Sequence, residues 1–124
     1  MAEPTSGWVY LIESTNGHWQ GWYRIGRTGN PIARFRQWRW MSKNNHWGLR
    51  PLYLISVDKQ EWAEKVFHNM FDKKRTSWRW NGMGPRHEWF KLDASDLSQF
   101  LHWAGINGTE VTDLHGDWQK AKKT

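Results

Sequence analysis

Two short runs of apolar and aromatic residues, joined by a turn and followed at once by a helix start, constrain this chain most. Gly7–Glu13 (GWVYLIE) and Trp22–Gly26 (WYRIG) read as strands. The polar run between them holds Asn16-Gly17, the dipeptide best suited to a tight hairpin. Thr28-Gly29-Asn30-Pro31 then begins a helix, with Asn30 as N-cap and Pro31 at the first helical position. This helix is expected to run to about Ser42, mixing an apolar face of Ile32, Phe35 and Trp38 with the cations Arg34, Arg36 and Arg39.

The rest reads as cover for that hairpin. A third strand is expected over 52–57. Asp58 is expected to cap a second helix, with Glu61 completing a capping-box-like pattern. Trp62, Ala63, Val66, Phe67, Met70 and Phe71 form its apolar stripe, with Glu64 and His68 one turn apart on the flank. Lys73 to His87 is too rich in turn formers for regular structure. A short strand (EWFKL) and a third helix, Ala94–Ala104, follow, with Asp93 capping that helix and Gly105 ending it. The order ββαβα plus a short strand and a helix predicts a small α+β domain, a three-stranded, mainly antiparallel sheet flanked by helices. Residues 7–105 are expected to form one domain, between an N-terminal tail (1–6) and a loosely ordered C-terminal tail (106–124).

Composition narrows the chemistry. Without cysteine there is no disulfide and no thiolate metal site. The opening MAEPTSG has neither a basic n-region nor an apolar h-region, and no apolar run approaches a membrane span, so a soluble, intracellular protein without a membrane partner is expected. Twelve tryptophans in 124 residues exceed what a core of this size can bury. Trp8, Trp62, Trp89 and Trp103 fall on packing positions. Trp38 and Trp40 share a helix with arginines, and Trp19, Trp47, Trp78 and Trp80 fall in loops.

Charge placement points to a polyanion. No Asp or Glu occurs between Glu13 and Asp58, a stretch that carries Arg24, Arg27, Arg34, Arg36, Arg39, Lys43 and Arg50. A second cluster holds Lys73, Lys74, Arg75, Arg79 and Arg86. Arginine interleaved with tryptophan suits bidentate phosphate contacts and base stacking. Trp78 and Trp80, flanked by Arg75 and Arg79, are the best stacking candidates. The expected partner is DNA, with RNA left open, and a protein partner or a second copy is a further alternative.

GWVYLIE followed by YRIGRTGNPIARF resembles the two-part signature of the GIY-YIG endonuclease superfamily. The first tripeptide falls on Trp8-Val9-Tyr10 and the second on Arg24-Ile25-Gly26. AEKVFHNMF and HEWF are similar to a phage and bacterial branch whose second motif reads KIGRT or RIGRT and whose end reads EWF, so the resemblance spans residues 7–101.

The resemblance implies a GIY-YIG-like fold and a metal-dependent DNA endonuclease of a bacterial or phage-infected cytoplasm. It implies that Tyr10 helps activate the attacking water. It implies that Arg34 steadies the pentacovalent phosphorane. It also implies that Glu64 ligates Mg²⁺ or Mn²⁺, with His68 offered as a second ligand. The tyrosine that opens the second motif is replaced by Arg24, which can bind phosphate but cannot act as a base. Tyr23, one residue earlier, points to the other face of a strand. Arg24 and Arg27 are expected to hold phosphate, with Arg36, Arg39, Trp78, Arg79 and Trp80 on the nucleic-acid surface.

Each position has a plainer alternative. Tyr10 suits a strand core, Arg34 a solvated face, and Glu64 with His68 a helix-surface pair. Arg27 suits a turn hydrogen bond, and Glu88 a structural partner for an arginine. Two other functions compete with hydrolysis: a catalytically inactive nucleic-acid-binding module on the same fold, and a Trp/Arg-rich protein-interaction or inhibitor domain.

Overall fold

A computed structural model of the chain describes residues 6–15, 17, 20–45, 48–75, 89–117 and 120. The elements run β1 (Gly7–Ser14), β2 (Trp22–Thr28), α1 (Pro31–Asn45), β3 (Leu49–Val57), α2 (Gln60–Met70), a 3-10 turn (Asp72–Lys74), β4 (Trp89–Lys91), α3 (Ala94–Asn107) and β5 (Glu110–Asp113). The fold is α+β, as expected. Its sheet has five strands rather than three, in the order β4-β2-β1-β3-β5, and every neighbouring pair is antiparallel. The additional edge strand β5 falls in the segment expected to be loosely ordered. It pairs with β3 from Ser56↔Glu110 to Tyr53↔Asp113, and Leu114 just beyond it is fully buried. The strand shows no apolar alternation because it is an edge strand whose own side chains are largely exposed.

Both faces of the sheet are covered, which is why the centre of β1 is a continuous apolar run. Val9 and Leu11 point to one face, where Ile25, Ile55, Ala63, Phe67, Phe71, Phe100 and Ala104 close a core under α2 and α3. Tyr10 and Ile12 point to the other, where they meet Phe35, Trp38, Leu49, Leu54, Trp89 and Leu114 under α1. Fully burying each Leu, Ile or Phe contributes roughly 1.5–3 kcal/mol.

The helix ends follow local chemistry with two exceptions. Asn30 Oδ1 accepts a hydrogen bond from the Ala33 backbone N–H at 3.1 Å, and Thr28 Oγ1 accepts one from Asn30 at 3.0 Å. The helix so begun continues to Asn45. At α3 the Asp93 carboxylate accepts from the Asp96 N–H and the Asp96 carboxylate accepts from the Asp93 N–H, both at 2.9 Å, a reciprocal capping box. Lys74 locks this box, donating to Asp96 Oδ2 at 2.5 Å and lying 3.5 Å from Asp93. The first exception is α2. Asp58 lies one residue too early, Lys59 takes the cap position, and no side chain caps the helix. The second is the end of α3, which runs through Gly105 and closes at Gly108, whose N–H donates to Ala104 at 2.8 Å. A Cβ on Gly108 would fall 2.6 Å from Ile55 Cγ2, so close approach to β3 fixes glycine there. Among the described residues no helix is long and apolar enough to cross a membrane.

Candidate nucleic-acid interface

Helix α1 has the sequence PIARFRQWRWMSKNN, with four cations and no carboxylate. Phe35 and Trp38 turn inward, 1 % and 5 % exposed. At 3.6 residues per turn, Ile32, Arg36, Arg39, Trp40 and Lys43 then form one outward stripe, while Arg34 lies on the opposite flank, one turn before Trp38. Ile32, expected on the apolar face, is accordingly 37 % exposed. Arg34, Arg36, Arg39 and Lys43 make no ion pair among the described residues. Arg27, Arg50, Lys74 and Arg75 differ, since each lies within 4.0 Å of a carboxylate. Helix α1 thus carries four cations without an ion pair among the described residues, as Lys59, Lys65, Lys73 and Lys91 also do elsewhere.

Tyr10 and Arg24 are brought together with this helix on one face of the sheet. Tyr10 is 1 % exposed, with its ring edge-on to Phe35 (5.9 Å) and Trp38 (6.0 Å). It pairs across the strands with Gly26, and a Cβ there would fall 2.6 Å from Tyr10 Cζ. Arg24, 6 % exposed, sets its guanidinium 4.3 Å from the Trp38 ring centroid. That is a cation–π contact in a dry setting. Expected to hold phosphate, Arg24 instead holds α1 to β2. Tyr23 packs against the opposite core, as strand alternation requires. Burial raises its phenol pKa, and Glu13 adds to the shift.

Glu64 belongs to the other side. Helix α2 packs on the Val9 and Leu11 face, away from Tyr10. Glu64 Oε1 lies 3.4 Å from Arg27 Nε, and Glu61 lies 3.8 Å from the same guanidinium. Arg27, expected to hold phosphate at the start of α1, thus ties β2 to α2. His68, offered as a metal ligand, is a core histidine. Its Nε2 lies 2.8 Å from the Ile25 carbonyl oxygen, and a carbonyl only accepts, so that nitrogen carries the proton and cannot ligate. Its ring also packs 5.2 Å from Phe90. Arg75 is structural too, donating to the His68 carbonyl at 3.2 Å and lying over Phe90.

A divalent ion does not fit these residues as they are arranged. Its one expected carboxylate ligand is held by a guanidinium, and its second ligand is committed to the backbone. No group of three or more His, Asp or Glu converges on a metal position among the described residues. Tyr10 packs on the face under α1, whereas Glu64 is carried by α2, which covers the other face. Trp78, Arg79, Trp80 and Glu88 lie outside the described residues.

Two exposed indoles escaped the reading of the sequence. Trp62, assigned to packing, is 53 % exposed and lies beside Trp103 at 5.7 Å. Trp40, 61 % exposed, stands within the cationic stripe of α1. Helical phase gave the signal for Trp40, because it sits about 200° around the helix from Trp38.

The model of the T5orf172 domain matches residues 7–105. No curated protein and no solved structure matches the chain significantly. The matching family is not the GIY-YIG endonuclease superfamily, so the assignment suggested by Trp8-Val9-Tyr10 and Arg24-Ile25-Gly26 is corrected. Arg24, which stands where that signature has a tyrosine, is buried against Trp38. T5orf172 domains are often nuclease-like or nucleic-acid-associated. With nearly the whole folded unit inside the match, the chain belongs to the T5orf172 domain family.

Proposed function

We propose that this domain binds nucleic acid, DNA in the first instance, along the outer face of α1. The observation that carries this reading is a helix with four cations, no carboxylate and no ion pair among the described residues. Cations on one face that make no ion pair among the described residues are placed to neutralise phosphates and release their counterions. Arg36, Arg39 and Lys43 supply the charge. Arg24 and Tyr10 serve beneath, fixing Trp38 and so the tilt of the helix. Titrating a labelled duplex at rising salt tests it, with affinity expected to fall steeply as salt increases. Affinity that ignores salt would remove the reading.

Hydrolysis of the bound strand is a second reading, favoured by membership of a family that is often nuclease-like. Arg34 shares the flank of α1 with Trp38, against which Tyr10 packs, and its guanidinium suits a charged phosphoryl transition state. Incubating supercoiled DNA with the protein and Mg²⁺ or Mn²⁺ decides it. Nicking that disappears in Arg34→Ala supports hydrolysis, and intact DNA under retained binding leaves a binding module alone.

A further inference from the structure

Helix α1 carries its cations on either side of its outermost line. Phe35 and Trp38 point into the core. At about 100° per residue, the direction opposite their midpoint falls between Ala33 and Trp40, and this is the crest of the helix. Arg34 lies about 110° from the crest on one side; Arg36, Lys43 and Arg39 lie about 50°, 70° and 110° from it on the other. Burial agrees with these angles, because Ala33, Arg36, Gln37, Trp40 and Lys43 are exposed while Arg34 and Arg39 are half-buried on the flanks. The arc between Arg34 and Arg36 holds Ala33, Gln37 and Trp40 and no charged residue. Trp40 already has an interaction partner, whereas Gln37 has no hydrogen-bond partner among the described residues.

A helix laid along a single phosphate backbone gains most from cations at its crest. Cations on both flanks suit a ligand with two anionic walls and uncharged hydrogen-bonding groups between them. The major groove of B-form DNA has that cross-section, with base edges on its floor and a phosphate strand on each rim. It is about 12 Å wide, and a helix with its side chains measures about 10–12 Å. Among the described residues α1 is the only helix on its face of the sheet, since α2 and α3 cover the other. No second helix beside it bars entry.

From this arrangement, and resting on the nucleic-acid reading above, we infer that α1 enters the major groove of duplex DNA and that Gln37 reads a base edge there. A glutamine amide donates and accepts side by side, which matches adenine N6 and N7. Ala33, one turn before, has only a methyl group and lets the helix approach the groove floor. Arg34 meets the phosphates of one strand, and Arg36, Arg39 and Lys43 meet those of the other. Phosphate contacts set the register, and Gln37 supplies the sequence preference. Duplex RNA does not suit this geometry, because its A-form major groove is too deep and narrow for side chains to read.

Selection of bound DNA duplexes from a pool with a randomised centre, followed by fluorescence anisotropy on the enriched duplex, tests this. The wild type is expected to enrich a short motif containing adenine. Replacing that adenine with 7-deaza-adenine removes N7 and keeps the pairing and the phosphates, and should weaken binding by about five-fold or more. Gln37→Ala should lose both that motif position and the 7-deaza effect, while its salt slope stays that of the wild type because no charge is removed. Duplex RNA of the same sequence should bind distinctly more weakly than the DNA. Groove reading is overturned, with nucleic-acid binding left intact, by any of four results: no enrichment, a 7-deaza duplex bound as tightly as the natural one, a Gln37→Ala variant that keeps the full motif, or RNA bound as tightly as DNA. Failure of the wild type to bind any duplex instead removes the nucleic-acid reading itself. Gln37 is exposed and alanine favours a helix, so an unchanged thermal melt shows that the variant has folded.

Discussion

The ring of Tyr10 occupies the space that a side chain on its cross-strand partner Gly26 would need. A Cβ at Gly26 would fall 2.6 Å from Tyr10 Cζ and 3.1 Å from Cε1. The phenol belongs to a rigid edge-to-face trio with Phe35 and Trp38, so it has nowhere to retreat. Gly26→Ala is therefore expected to destabilise the fold by about 1–3 kcal/mol through overpacking. Urea unfolding measures it, and the same substitution in a Tyr10→Ala background should cost distinctly less. Equal costs in both backgrounds would show that the glycine serves something other than the ring.

Trp38 links three elements at once, lying under Arg24, beside Tyr10 and on the inner face of α1. Trp38→Ala should cost about 3–5 kcal/mol, as for other large core truncations. It should also weaken DNA binding more than its distance from the outer stripe suggests, since α1 loses its seat on β2. Denaturation and anisotropy on the same preparation separate the two effects.

Acid should act through the start of α3. The Asp93 carboxyl is held below its usual pKa, first by the Asp96 backbone N–H and then by Lys74. A depressed carboxylate contributes stability that is complete above its unfolded value near 3.8 and lost as pH falls through the lower folded value. Asp93→Asn should therefore lose less stability than the wild type between neutral and strongly acidic pH. At the alkaline end burial raises the Tyr23 and Tyr53 phenols above 10.0, with Glu13 and Asp113 adding to the respective shifts. Above pH 10 the unfolded chain ionises them first, and stability should fall. Thermal melts across pH, on the wild type, Asp93→Asn and the Tyr→Phe variants, check both directions.

What the chain made legible depended on how local the cause was. The hairpin, the Asn30-Pro31 helix start and the Asp93 cap were readable because neighbouring residues decide them. Asp58 misled, since the chain bends for one further residue before α2 begins. The edge strand β5 left no local mark, because its place is decided by pairing with Ser56 through Tyr53 far back in the chain. The site residues divided the same way. Strand alternation separates Tyr23 from Arg24, but no local rule reveals that Arg27 reaches Glu64 or that His68 donates to Ile25. The aromatic-rich motif at Trp8-Val9-Tyr10 resembled a known signature, and the whole-domain match assigned the chain to another family.

The most direct measurement of the nucleic-acid reading is the salt dependence of DNA binding for the wild type and for a variant carrying Arg36→Gln, Arg39→Gln and Lys43→Gln. Each lost phosphate contact is expected to reduce the slope of log affinity against log salt by about 1, and the variant should retain only weak binding. Its thermal stability should stay near that of the wild type, since these cations make no ion pair among the described residues. A variant that binds DNA with unchanged affinity and unchanged slope would contradict the assignment of α1 as the nucleic-acid surface.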